Sequence, residues 1–197
     1  MSVSNGKADG RKLIMQWLLS ASRNPIGLVL VGAVFALCLS SYPIIFFGKS
    51  YVSPGYGPQM LYDNLPYVPG YQSTDTEALS ADPGAMPWQN LPYSRVQHEA
   101  VFEHGEFPLW NRYNSGGLPL FGQGQSQILD PLHWIAVAGE GNGWAWDVKF
   151  LLSKLIFLAG IGASILLMTR NSLVSIVVMV SASFIGFFYF RFNHPIF

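Results

Sequence analysis

From Ile26 to Phe47 the chain runs roughly 22 residues without a formal charge, and no other feature restricts its folding as strongly. At about 1.5 Å per residue, a helix over this run is long enough for a hydrocarbon core of about 30 Å. In lipid every backbone N–H and C=O needs a partner inside the protein, which an α-helix supplies by itself. A second apolar run extends from about Val148 to Met168 and a third from Leu173 to Phe190, separated by Thr169, Arg170, Asn171 and Ser172. These two are expected as a tight helical hairpin. Half of the 197 residues are hydrophobic and 11% are charged, whereas about a quarter would be charged in an ordinary soluble protein.

The expected fold is therefore an α-helical integral membrane protein with three transmembrane helices. A large extracytoplasmic loop of mixed short helices and irregular structure joins the first to the second. The boundaries read as a cytoplasmic N-terminal segment over 1–25, helices over 26–48, 148–169 and 172–191, a loop domain over 49–147 and an extracytoplasmic end over 192–197. Orientation follows from the basic residues, because Lys and Arg near helix ends stay on the cytoplasmic side. Lys7, Arg11, Lys12 and Arg23 precede the first run and Arg170 lies in the hairpin turn. Between Ser50 and Trp146 nine acidic residues face two basic ones, Arg95 and Arg112, so that segment is expected outside. In a bacterium this is the inner, cytoplasmic membrane. The first run is too long for a typical secretory h-region and lacks a clear small-x-small site, so it is expected to be an uncleaved anchor. Cys38, the single cysteine, falls within it and leaves no intrachain disulfide to form.

Within the loop, residues 51–71 are rich in Tyr, Pro and Gly and show no sustained period. Ser94 to Gly105 is the best helix candidate, with Val96, Ala100 and Val101 at helical spacing after Pro92, and is expected along the membrane surface. Trp144 and Trp146 immediately precede the second span and read as an interfacial belt. The HEAVFEH segment looks like a metal site only superficially. His98 and His104 are six residues apart, about 120° around a helix, whereas zinc proteases set two His at i and i+4. No Gly-rich nucleotide fingerprint, nucleophile elbow or basic nucleic-acid patch is present.

Two groups carry chemistry by residue type. Asp75, Glu77 and Asp82 lie in one short outer stretch, where carboxylates suit proton abstraction or a divalent cation beside phosphate; a solvated turn is the plainer reading. Lys149 and Lys154 fall at the outer end of the second span. Snorkelling to the interface and pairing with a lipid phosphate are equal alternatives for them.

The stretch from Asp82 to Trp134 resembles the first outer loop of the YfhO-like bacterial membrane proteins. In that pattern Asp82, Gln89 and Pro92 come first, then the block Gly105 to Asn111 with Pro108, Leu109, Trp110 and Asn111. Gly116 and Gly117 lead to Pro119, and Gln125 and Ser126 lead to Pro131 and Leu132. The family is similar to the GT-C class of integral membrane glycosyltransferases. The resemblance implies transfer of a sugar from a polyprenyl-phosphate donor to an extracytoplasmic acceptor. It implies an outer-loop carboxylate as base or metal ligand, which is Asp82 here with Asp75 as the alternative, and it puts Lys149 or Lys154 near the donor phosphate. Relatives continue through many more membrane helices, so the chain is expected to be the N-terminal part or a derivative of such an enzyme, and too short to act alone. The alternative is a non-enzymatic subunit that binds and stabilises a larger membrane complex.

Overall fold

The computed structural model describes residues 24–52, 86–114, 116–122 and 124–190. These form a mostly helical protein that divides into two compact units. Asp75, Glu77 and Asp82, the Tyr- and Pro-rich stretch after Val52, and both termini lie outside the described residues.

One unit contains the described residues up to Tyr42 together with Lys154–Phe184. Helix α1 (Pro25–Ser40) is N-capped by Asn24, whose side chain accepts from Ile26 N, and Pro25 occupies the first turn, where its missing N–H costs nothing. The expected first span does not continue as one helix. It stops at Ser41, and a short helix α2 (Tyr42–Phe47) follows. Pro43 cannot donate to a carbonyl one turn back, and Ser40 Oγ bonds back to Ala36 O at 2.8 Å, a contact that bends helices.

Among the described residues only α5 (Gly143–Thr169, 27 residues) is long and apolar enough to cross a membrane by itself. Its partner in the expected hairpin is broken like the first: α6 covers Ser172–Ala182 and α7 covers Gly186–Phe190. Ser181 Oγ and Ser183 Oγ bond back to Val177 O and Val180 O where α6 ends. Three uninterrupted transmembrane helices are thus replaced by one long helix and two interrupted apolar segments. Arg170 sits at φ +51° in the turn, and Asn171 caps α6 by accepting from Leu173 N and Val174 N.

Packing in this unit centres on Met179. A side chain at Gly32 would lie 2.6 Å from its Cε, and one at Gly162 would clash with its sulfur. The two glycines therefore let α1 and α5 close on α6. Ser175 Oγ donates to Gly162 O at 2.7 Å and ties α6 to α5.

The other unit contains residues 43–153 among those described, with Ile185 onward. Its central helix runs from Met86 to Glu103: a π-helical stretch Met86–Asn90, α3 (Leu91–His98) and a second π-helical stretch Glu99–Glu103. It starts eight residues before the expected Ser94. It also buries Tyr93, Ser94, Gln97 and Ala100 inside the unit, rather than serving only as a surface helix. A short ladder pairs β1 (Trp110–Asn111) with β2 (Leu118–Pro119), antiparallel, Trp110 opposite Pro119. Helix α4 (His133–Ala138) precedes α5, which begins five residues before Val148. The core joins Val52, Met86, Ala136, Trp146 and Phe150, with Tyr51, Leu91 and Phe188 against it, and a second cluster joins Tyr93, Leu120 and Ile128.

Trp146 is the largest fully buried side chain, in contrast to the expected interfacial position, while Trp144 is 62% exposed. At helical spacing the two rings point to different sides of the first turn of α5, and only one faces the core. A buried ring of this size contributes about 3–5 kcal/mol by truncation.

Candidate functional site

The motif blocks that carry the family resemblance converge on one another. The 107–110 segment lies beside 118–121: Leu109 O accepts from Leu120 N at 2.8 Å, and β1 pairs with β2. Asn111 is buried, and its Oδ1 accepts from Tyr113 N at 3.0 Å, which starts the turn between the strands. Gly116 and Gly117 complete that turn at φ +80° and +117°, backbone that favours glycine. A Cβ on Gly117 would strike the Trp110 indole. Pro108 is buried under the ladder, and Gln89 Nε2 donates to Gln125 Oε1 at 2.6 Å across 36 residues.

A buried polar chain continues from there. Gln97 Nε2 donates to Ser126 O at 2.7 Å, which leaves Gln97 Oε1 to accept from His133 Nε2 at 2.6 Å. His133 is therefore the Nε2–H tautomer, and its Nδ1 has no hydrogen-bond partner among the described residues. Burial, then the charge of Lys149, hold its pKa down at about 3 against a smaller opposing pull from Asp130. The Trp146 ring lies tilted against it, ring centroids 5.3 Å apart, and donates its N–H to Ser94 Oγ at 3.2 Å.

Lys149 is 4% exposed. Its ammonium lies 3.0 Å from Asp130 Oδ2, donates to Gln127 Oε1, and sits over the Trp146 ring, 4.7 Å from the centroid. A carboxylate, an amide and an aromatic face thus surround the charge. Lys154 is equally buried and donates to Ser41 Oγ at 3.3 Å, at the point where α1 ends. A cation there meets the negative end of a helix dipole. The two lysines belong to different units.

His98 and His104 do not converge. His98 Nδ1 bonds Val137 O at 2.8 Å, linking α3 to α4, and His104 ends the central helix. Among the described residues no three His, Cys, Asp or Glu side chains are placed to hold a metal.

An open groove of about 450 Å³ lies along the 106–113 segment, walled by Phe107, Trp110 and Tyr113 and edged by Glu99, His104, Glu106 and Arg112. Arg112 Nη2 donates to Glu106 Oε2 at 3.0 Å.

Sequence reasoning did not single out Ser94, Gln97, Asp130, His133 or Asp147. The signal for His133 was faint: it stands inside the motif's PLHW end, but buried polar pairing across 36 residues leaves no local pattern. Asp147 accepts from Tyr51 N at 2.8 Å and ties the start of the loop to α5.

No family model, characterised protein or solved structure matches this chain.

Proposed function

We propose that the chain carries the membrane and outer-loop portion of a lipid-linked sugar transferase, or derives from one. Asp82 acts as base or ligand to a divalent cation, with Asp75 as the alternative. One observation carries the reading. The residues that define the resemblance, Gln89, Pro108, Asn111, Gly117, Gln125 and Ser126, hold one folded unit together through contacts between distant motif blocks. These contacts support reading the loop as one module.

The apolar segments support a membrane setting. Only 22% of the most apolar window of α5 is buried within the protein, whereas the core helix of a soluble protein would hide most of it. Leu30, Phe35, Ile156, Leu167 and Val177 are likewise exposed. In this reading α5 spans the bacterial cytoplasmic membrane. The interrupted segments around α1 and α6 are embedded beside it, with the N-terminus inside and the loop outside.

The test is transfer of a labelled sugar from a polyprenyl-phosphate donor in membranes containing the full assembly. Asp82→Asn abolishes transfer while protein level and folding stay unchanged. Transfer at the wild-type rate would remove the role given to Asp82.

A second reading is favoured by Lys149, whose charge is already met by Asp130 and Gln127. A chain that does not hold a donor phosphate there fits a non-enzymatic subunit of a larger membrane complex. Mass measurement after gentle solubilisation separates the two: stable association with unrelated membrane proteins favours the subunit, and a chain that leaves the membrane alone counts against it.

A further inference from the structure

We propose that the groove along residues 106–113 is a binding site for a neutral saccharide. Its volume of about 450 Å³ falls in the range of small-ligand sites. A pyranose ring presents an apolar C–H face and a rim of hydroxyls. A matching site needs flat apolar side chains under the ring and planar polar side chains at its edge. Phe107, Trp110 and Tyr113 supply the first, each more than half exposed on the groove. Glu99, Glu106 and Arg112 supply the second.

The site is held in place before any ligand arrives. The Gly117 backbone lies against the Trp110 indole so closely that any side chain there would collide with it, and Trp110 itself is fixed in the ladder opposite Pro119. Such fixing lowers the ordering cost of binding. The Arg112–Glu106 pair at 3.0 Å uses part of each group; the remaining guanidinium N–H donors and carboxylate lone pairs are those a vicinal diol engages. Charge narrows the ligand class. Glu106 is paired with Arg112 at 3.0 Å and Glu99 with Arg95 at 3.7 Å, so the polar edge is balanced in charge and favours a neutral ligand over an anion or over a quaternary ammonium, the other usual guest of an aromatic groove. The proposal deepens the transferase reading by giving the outer loop a place for a sugar acceptor, and its test involves neither donor nor transfer, so either can fail alone.

The full chain in a polyoxyethylene detergent, which carries no sugar, is titrated with maltohexaose, cellohexaose and the chitin hexamer by tryptophan fluorescence and calorimetry. At least one is expected to bind saturably. Its affinity should fall at least tenfold in Trp110→Ala and in Arg112→Gln and persist in Trp88→Ala, outside the groove. If Trp110→Ala does not fold, Tyr113→Ala takes its place, with circular dichroism as the control. The proposal is overturned if none of the three saturates, if the groove variants bind like the wild type, or if tetramethylammonium or inorganic phosphate binds there in preference.

Discussion

His133 behaves unlike an ordinary histidine because of where it is buried. With its Nε2–H committed to Gln97 and Lys149 nearby, a proton on Nδ1 would add a second positive charge to a space that excludes water. Its pKa, about 3 in the fold, lies below the ordinary value near 6.5. The unfolded chain therefore binds a proton that the folded chain refuses between these values. Stability from this group is complete above about pH 6.5 and is lost as pH falls toward 3, the loss reaching about 2 kcal/mol at pH 5. Thermal unfolding followed by tryptophan fluorescence should show this acid sensitivity in the wild type. His133→Gln should flatten the slope between pH 7 and 5, because its amide can still donate to Gln97. An unchanged slope would assign the sensitivity elsewhere. The histidines that draw the eye in the sequence are His98 and His104, since proximity along the chain is visible and burial is not.

At the scale of elements, the apolar runs were legible as helices but their interruptions were not. Hydropathy integrates over many residues, whereas a break depends on single hydrogen bonds such as Ser40 Oγ to Ala36 O and Ser183 Oγ to Val180 O. The outer-loop helix was legible in part for the same reason: its apolar spacing was visible, but the π-helical stretch Met86–Asn90 begins it eight residues before Ser94. Glycines show the contrast most sharply. Gly160 and Gly162 are near neighbours in α5, but a Cβ at Gly160 meets nothing, while one at Gly162 meets Met179. Gly162→Val is expected to cost about 1–3 kcal/mol through overpacking and to lower the unfolding temperature, whereas Gly160→Val leaves it nearly unchanged. Equal effects would mean that Met179 swings aside without loss and does not set the spacing of α1, α5 and α6.

For the whole molecule, the decisive question is whether α5 crosses a membrane with the loop outside. In a Cys38→Ser background, a single cysteine at exposed Glu140 tests the loop side, and one at exposed Thr169 tests the far end of α5. A membrane-impermeant maleimide applied to intact spheroplasts should label Glu140→Cys, and should label Thr169→Cys only after lysis. The reverse pattern would invert the orientation, and equal labelling at both positions would remove the span.

The sequence by itself determined the helical character, the three apolar segments and the charge asymmetry, because each is a sum over many residues in which local detail averages out. It also marked the motif blocks, through Pro, Gly and Asn at positions that a turn and a close approach demand. Only the tertiary structure decided that Trp146 is core while Trp144 is not, and that Lys149 pairs with Asp130. Those outcomes depend on partners 19 to 52 residues away, and a buried charge or N–H is settled by whichever group the fold brings to it.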